Sequence, residues 1–293
     1  MYAIETNNLT KYYGKARGVI DLNLKINKGD IFGFIGPNGS GKSTTIRVLL
    51  GMIRSTSGRA FVFGKDVTKN RKEILNQIGY MPSEAQFYSR MKVCEVIKLA
   101  ADLHHKDCSS EAKRLCDRFQ LDIKKKIEDL SLGNRKKVSV VCALQHEPEL
   151  AILDEPTSGL DPLMQKEFFD VLREKNKAGS TIFFSSHVLP EIQNNCKNAA
   201  IIREGKLIKT ATVEELTKTS AKVITLSNVE RLNILDNNDL KPDIINVEKI
   251  SGGIRFLYGG DVKAFIKAVQ FEEFSDITIT EPSLDEIFMH FYQ

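Results

Sequence analysis

Four parts of this chain have the hydrophobic pattern of a strand. Residues 22–26 alternate leucine or isoleucine with polar residues, a period of two that predicts a half-buried strand in an antiparallel sheet. Residues 31–35, 150–153 and 181–184 are short, mostly apolar runs, the pattern of strands buried on both faces of a parallel sheet. We therefore expect an antiparallel sheet near the start of the chain and a parallel sheet at its centre.

Helices are predicted after two of these apolar runs. Residues 46–50 place apolar side chains on one helical face, and Gly51 marks the end of that helix. A second helix is bracketed by Asp161 as its N-cap, Pro162 in its first turn and Gly179 beyond its end. This order of strands and helices predicts an α/β core.

The segment from about residue 84 to residue 133 has a different, helical texture. Its apolar positions fall on two helical stripes, namely Val93, Val96, Ile97 and Ala100, and Leu115, Cys116 and Phe119. We interpret this segment as a helical subdomain inserted into the α/β core.

Beyond about Lys218 the chain becomes rich in predicted strands again. Apolar, β-branched runs at residues 223–226, 254–257 and 277–280 predict strands, and Ser283 and Glu286 have the spacing of a helix capping box. We therefore predict a larger domain of residues 1–218 and a small α+β accessory domain of residues 219–293.

The composition is that of a globular protein. Of the 293 residues, 42% are hydrophobic and 27% are charged, enough for a full core in one large or two smaller domains. No apolar run approaches the ~18 residues needed to cross a bilayer, and the first residues lack the pattern of a signal peptide. We expect the chain to stay in the cytosol and not to span a membrane itself.

Charge and cysteine spacing argue against two other classes of protein. The net charge of +4 is modest, and the run at residues 124–126 is more typical of a solvated surface than of a nucleic-acid patch. We expect no nucleic-acid partner. The five cysteines include no CxxC pair and most lie among apolar residues, which predicts buried, reduced thiols rather than zinc ligands or disulfides.

A phosphate-binding loop lies between the first predicted parallel strand and its helix. The run that satisfies the GxxxxGK[ST] pattern is Gly36-Pro37-Asn38-Gly39-Ser40-Gly41-Lys42-Ser43-Thr44. Glycines let backbone N–H groups converge on a phosphate, Lys42 reaches the β- and γ-oxygens, and Ser43 is placed to ligate Mg²⁺. The loop predicts nucleotide binding, but by itself it does not separate a GTPase, a kinase and an ATPase.

Two adjacent carboxylates indicate hydrolysis. A predicted buried strand leads directly into Asp154 and Glu155, so their side chains leave its carboxyl end in opposite directions. Asp154 can hold the magnesium shell while Glu155 polarises an attacking water. The GTPase interpretation is weakened because the Asn-Lys-x-Asp letters at residues 27–30 precede the phosphate loop instead of following it.

In order and spacing, these motifs resemble the nucleotide-binding subunits of ABC transporters over about residues 3–215. Residues 158–161 resemble the family's D-loop, and His187 resembles its switch histidine. Residues 130–134 occupy the place of its LSGGQ signature, and Tyr13 resembles the aromatic residue that stacks on adenine. The resemblance implies the P-loop NTPase fold of ABC type, with a parallel core sheet, an antiparallel β subdomain and an inserted helical subdomain.

The resemblance also implies roles for the matched residues. Lys42, Glu155 and His187 would be catalytic, with ATP and Mg²⁺ as cofactors. Ser131 and Gly133 would aim a helix N-terminus at the γ-phosphate held by the other subunit of a homodimer or heterodimer. For Tyr13, His187 and Ser131, the alternatives are a packing residue, a structural histidine and a simple helix cap. Asp161 of the D-loop would belong to the same nucleotide site.

Two departures from the family pattern stand out. Leu132 and Asn134 replace a glycine and a glutamine of the signature, which predicts fewer or differently angled phosphate contacts. Ser83 occupies the position of the Q-loop glutamine near the metal, and serine is too short to reach magnesium as glutamine does. Either Glu84 substitutes, or a water bridges, or the link to the membrane partner is looser.

The resemblance further implies work on a separate membrane subunit, at the cytoplasmic face of the membrane. Residues 281–288 resemble the ending common among drug, antibiotic and peptide exporters. Apolar side chains at Phe87, Tyr88 and Met91 suggest a docking surface for a short helix of that subunit. The alternative is that they pack inside the helical subdomain.

Other classes of ABC protein remain as alternatives. An ATPase that acts on ribosomes would be expected to carry two tandem ATPase units, whereas this chain has one phosphate loop and one signature. An ATPase that acts on DNA would insert a long coiled coil between them, and no sustained heptads occur there. Glu155 and His187 argue against a non-hydrolysing regulatory module.

Overall fold

The chain divides into two compact units. The units are Met1–Ala211 and Thr212–Gln293. The computed structural model of the protein describes residues 1–217, 221–229, 243–270 and 273–280.

Strands and helices alternate through most of the larger unit. Its strands are β1 Tyr2–Tyr13, β2 Ala16–Leu22, β3 Lys25–Asn27, β4 Ile31–Ile35, β5 Ser57–Val62, β6 Lys65–Asp66, β7 Ile78–Met81, β8 Leu150–Asp154, β9 Thr181–Ser186, β10 Asn198–Arg203 and β11 Lys206–Thr212. Its helices are α1 Lys42–Leu49, α2 Arg71–Gln77, α3 Val93–Leu103, α4 Ser109–Arg118, a 3₁₀ turn Ile127–Asp129, α5 Leu132–Leu144, α6 Pro162–Lys177 and α7 Leu189–Asn195.

An antiparallel sheet opens the fold, with the order β2-β1-β5-β6 and β3 paired to β1. The alternating residues 22–26 were predicted as one strand, but they are divided between the end of β2 and the start of β3. Thr6 of β1 causes the division, because its Oγ1 donates to the Leu22 carbonyl at 2.8 Å and accepts from the Leu24 N–H at 2.9 Å. Leu22, Leu24 and Ile26 are all buried, so the predicted alternation of burial is confirmed.

The central sheet has the strand order β11-β10-β4-β9-β8-β7. Strands β10, β4, β9, β8 and β7 run parallel to their neighbours. Ile35 at the end of β4 pairs with Ser186, and Asp154 at the end of β8 pairs with Ser185 of β9. The register therefore brings the carboxyl ends of three adjacent strands to one edge of the sheet, where ligands bind in α/β proteins.

The inserted segment is helical, as the sequence predicts. Val93, Val96 and Ile97 of α3 are buried, and so are Leu115 and Cys116 of α4. All five cysteines of the chain lie within the described residues and are free thiols. Cys108 and Cys116 are buried as predicted, whereas Cys142 and Cys196 are partly exposed and Cys94 on α3 is exposed. In the described ranges no helix is both long and apolar enough to cross a bilayer.

Charged side chains fasten α4 of the insertion to α6 of the core. Arg114 pairs with Glu174 at 2.9 Å, and the buried Lys175 pairs with Glu111 at 2.5 Å. Burial of Lys175 makes Glu111 costly to remove, because the buried ammonium would keep only the exposed Glu147, at 3.6 Å, as an ion-pair partner among the described residues.

The smaller unit has its own sheet and core. Its elements are α8 Val213–Thr217, β12 Lys222–Ser227, β13 Ile244–Ile250, β14 Gly253–Tyr258, α9 Val262–Val269 and β15 Asp276–Thr280. In the described ranges its strand order is β13-β14-β12-β15, and α9 places Phe265 against Phe256 and Tyr258. The capping box at residues 283 and 286 and the exporter-like ending at residues 281–288 lie outside the described residues.

Phe183 in the middle of β9 gives a test of the packing of the central sheet. Its ring is fully buried and lies within 6.3 Å of Phe32 and 5.6 Å of Phe34, measured between ring centroids. We expect Phe183→Ala to lower the free energy of unfolding by about 3–5 kcal/mol, since it removes a large buried ring and leaves a cavity. Urea unfolding measures the change, with the exposed Ile208→Ala as control; a loss no larger than the control's would contradict this packing.

Candidate active site

The phosphate loop follows β4 and ends in the first turn of α1. Gly41 caps α1 with a φ of 111°, in the left-handed region that only glycine adopts readily. A Cβ on Gly36 would lie 2.3 Å from the Ile202 carbonyl oxygen of β10. Both positions therefore require glycine, Gly41 because of its backbone conformation and Gly36 because of the close approach of β10.

Lys42 is folded back across this loop. Its side chain is only 5% exposed. Its Nζ donates to the Gly36 carbonyl at 2.6 Å and to the Pro37 carbonyl at 3.2 Å, and it lies 3.1 Å from Glu155 Oε1. The sequence predicted the ammonium at the loop; its pairing with the carboxylate is found only in the structure.

The two adjacent carboxylates are held by one serine of the neighbouring strand. Ser185 Oγ donates to Asp154 Oδ1 at 2.6 Å and accepts from the Glu155 N–H at 3.0 Å. Glu155 has a φ of 48°, a conformation that costs free energy for a non-glycine residue and needs such support. Sequence reasoning gave Ser185 no role, because its partner is 31 residues away along the chain.

Glu155 lies between a cation and an imidazole. Its Oε2 is 2.6 Å from His187 Nδ1, while Oε1 faces Lys42. His187 follows β9 directly and is exposed, whereas Glu155 is mostly buried. A carboxylate fixed in this way beside a phosphate loop can accept a proton from a water and orient it for attack.

A second buried carboxylate braces the loop that follows β8. Thr157 Oγ1 donates to Glu191 Oε1 at 2.6 Å, and Ser186 Oγ donates to Glu191 Oε2 at 2.8 Å. Glu191, in the first turn of α7, therefore joins this loop to the end of β9. The sequence gave no signal for this network beyond the polar residues themselves.

A cavity of about 350 Å³ opens over the phosphate loop. The residues that line it are Arg17, Gly18, Pro37, Asn38, Gly39, Ser40, Gly41, Lys42, Ser43, Thr44, Ser83 and Glu155. The buried Ser40 Oγ has no hydrogen-bond partner among the described residues. Backbone N–H groups, hydroxyls and an ammonium in one cavity fit a phosphorylated ligand. Arg17 and Gly18 were not selected from the sequence, since only the pairing of β1 with β2 brings them to the loop.

Tyr13 lies at the rim of this region. It is half-exposed at the end of β1, and a Cβ on Gly18 would lie 3.2 Å from its ring. The ammonium of Lys11 lies 5.2 Å from the ring centroid. Stacking of Tyr13 on adenine stays a prediction.

The signature and D-loop residues form a separate group. Ser131 caps α5 by accepting from the Asn134 N–H at 3.3 Å, and Asp161 caps α6 by accepting from the Met164 N–H at 3.0 Å. A Cβ on Gly133 would lie 2.7 Å from the Gly159 carbonyl oxygen, so the two segments meet. Within the described part of the chain, Ser131, Gly133 and Asp161 lie outside the set of residues that line the cavity.

The comparisons with known proteins agree on one family. Residues 19–158 match the family model described as ABC transporter. The chain is 37% identical to the bacitracin transport ATP-binding protein BcrA of Bacillus licheniformis, covering 98% of this chain and 96% of that protein. It is 31% identical to the linearmycin resistance ATP-binding protein LnrL of Bacillus subtilis (strain 168), covering 73% and 70% of the two chains.

A solved structure shows the same fold over about three quarters of this chain. An ATP-binding subunit of an ABC transporter superposes with a TM-score of 0.69 at 27% identity, covering 74% of this chain and 92% of that one. The predicted P-loop fold of ABC type is thereby confirmed. On these similarities the chain belongs to the ATP-binding proteins of ABC transporters, a family that binds and hydrolyses ATP.

Proposed function

We propose that this ATPase powers an exporter of a drug, antibiotic or peptide through a separate membrane subunit. The observation that carries the hydrolytic part is the Glu155 carboxylate, held between Lys42 and His187 beside the phosphate loop. The export part is supported by the relative named for bacitracin transport, whose similarity extends over nearly the whole chain.

The chain's own residues divide the chemical work. Residues 36–44, which include Lys42, bind the phosphates of ATP, and Tyr13 stacks on the adenine. Glu155 accepts a proton from the attacking water, and His187 orients that water against the γ-phosphate. In the structure Lys42 is paired with Glu155, so a bound phosphate would compete for the ammonium and release the carboxylate for its role as base.

We propose Mg²⁺ as the second cofactor. Ser43 in the first turn of α1 and Asp154 at the end of β8 supply the oxygen ligands that this ion prefers, with Ser83 as a further candidate. When bound, Mg²⁺ would neutralise charge that develops on the β- and γ-phosphate oxygens.

We further propose that the site is completed in a homodimer or heterodimer. Ser131, Gly133 and Asp161 lie outside the cavity of their own chain, and Ser131 opens the N-terminus of α5. A helix N-terminus favours negative charge, so α5 can serve a phosphate held by the other subunit.

The membrane subunit would dock on the helical insertion, at the cytoplasmic face of the membrane. Tyr88 is 73% exposed and Phe87 is half-buried. They line a cavity of about 430 Å³ together with Leu99 and Leu103 of α3, which are also exposed. An apolar groove of this kind fits a short amphipathic helix, which would cover the exposed apolar surface.

Glu155→Gln tests the hydrolytic assignment. It keeps size and hydrogen bonding but removes the charge, so we expect ATP binding to persist while turnover falls by roughly 10²- to 10⁴-fold. The same variant should accumulate as an ATP-bound dimer, which gel filtration with ATP detects. Glu149→Gln, on the exposed approach to β8, is the matched control; unchanged steady-state hydrolysis in Glu155→Gln would sink the assignment.

Ser131→Arg tests the composite site. If Ser131 serves the nucleotide of the opposite subunit, the ATP affinity of the monomer stays nearly intact while hydrolysis and dimer closure are abolished, because arginine blocks the N-terminus of α5. Equilibrium binding and steady-state turnover measure the two effects, with the exposed Ser110→Arg of α4 as control. A large loss of monomer affinity would show instead that Ser131 acts within its own chain.

Phe87→Glu and Tyr88→Glu test the docking surface. We expect each variant to weaken assembly with the membrane subunit and to uncouple hydrolysis from transport, because a charge would be buried against an apolar helix. Basal ATPase activity of the isolated chain should persist, as in the control Ile208→Glu. Co-purification from membranes measures assembly, and normal assembly would place docking elsewhere. An untagged chain that sediments with ribosomes instead would favour the alternative of a soluble ABC ATPase.

A further inference from the structure

A buried lysine that the proposed mechanism does not use lies behind the nucleotide cavity. Lys136 of α5 is only 2% exposed. Lysine is almost never fully buried unless it is paired, because the ammonium loses its hydration. Its Nζ donates to the main-chain carbonyl of Ser83 at 2.5 Å.

The electrostatic surroundings of Lys136 belong to the site. Burial lowers the pKa of Lys136, while the negative charges of Asp154, Glu155 and Glu84 oppose that shift. The ammonium therefore lies within the field of both site carboxylates.

The Lys136 hydrogen bond joins α5 to the loop that follows β7. Ser83 lines the cavity together with Ser43 and Glu155, in the loop that follows β7. Lys136 lies on α5, five residues after its N-cap Ser131. The N-terminus of α5 is the end that is proposed to face the second subunit. The bond is made to a main-chain oxygen, so it does not depend on the length of the side chain at position 83.

We propose that Lys136 is a positioning residue that holds the Ser83 loop against the nucleotide cavity and ties its position to that of α5. This inference rests on the proposed function. Lys136 links the Ser83 loop to α5 through a main-chain oxygen, whatever the Ser83 side chain contacts. A shift of the loop on nucleotide binding would then move the helix whose N-terminus serves the opposite nucleotide.

Lys136→Met is the central variant. It removes the donor while it keeps an apolar stem of similar length, and an apolar replacement of a buried charge is commonly tolerated by the fold. We expect kcat to fall roughly tenfold, the scale of one hydrogen bond from a charged donor, while the ATP affinity of the monomer stays within about twofold. Amide hydrogen–deuterium exchange over residues 82–92 should become faster.

Three companion variants separate positioning from general damage. Lys137→Met, the neighbouring and more exposed lysine of α5, should change neither exchange nor kcat. Ser83→Ala should leave the exchange of the loop unchanged, because the accepted bond is to its carbonyl. Lys136→Arg, which keeps a cationic donor, should recover most of kcat and of the exchange protection.

The outcomes are decisive in either direction. The proposal would be overturned if a folded Lys136→Met chain kept wild-type exchange and wild-type kcat. It would also be overturned if Lys136→Met and Lys137→Met had equal effects, or if a folded Lys136→Arg chain recovered neither property. If Lys136→Met melts below the assay temperature, Lys136→Leu takes its place, since its side chain carries neither a charge nor a hydrogen-bond donor. Glu155→Gln reports on the proposed function independently, so its expected behaviour together with a silent Lys136→Met would reject this inference alone.

Discussion

The parallel register of β4, β9 and β8 is the constraint on which the site depends. It places the phosphate loop, His187 and the two carboxylates at the ends of neighbouring strands, although they are far apart in sequence. Strands in a parallel ladder are about 4.8 Å apart, so groups at adjacent strand ends come within hydrogen-bonding reach. The contacts of Glu155 with Lys42 and with His187 follow from that register.

Two carboxylates at this edge are buried, and the cost of their burial is offset by neighbouring hydroxyls. Asp154 is nearly inaccessible, yet it accepts a hydrogen bond from Ser185, and Glu191 accepts from Thr157 and Ser186. Ser185 and Ser186 lie on β9, and Thr157 lies in the loop that follows β8. A buried polar group with its partners present stabilises a single arrangement, whereas an unpaired one would favour rearrangement. The hydroxyls therefore fix the carboxylates before any nucleotide arrives.

The contiguous parts of the site could be predicted from the sequence, and the non-local parts could not. Residues 36–44 are recognisable because all the residues of the loop motif are consecutive in sequence. Asp154 and Glu155 are recognisable because they stand at the end of an apolar strand. Ser185 and Lys136 have no such signal, since their partners lie 31 and 53 residues away. The break between β2 and β3 also escaped prediction, because one hydroxyl of another strand causes it. Sequence periodicity reports burial, and it does not report which side chain a buried group meets.

The contacts of Leu132 account for its presence in the signature. Leu132 replaces a glycine of the family pattern, and a Cβ on Gly159 would lie 3.4 Å from its side chain, so the leucine packs over the D-loop backbone. Leu132 is nevertheless 60% exposed, and Leu163, which follows the D-loop, is 67% exposed. Large apolar side chains that project from two adjoining segments are costly in water and are commonly covered by a partner. In the proposed dimer, the face that carries Ser131 would cover both leucines. Leu132 would then add apolar contact area between the subunits, while the signature would lose part of the close phosphate contact that a glycine allows.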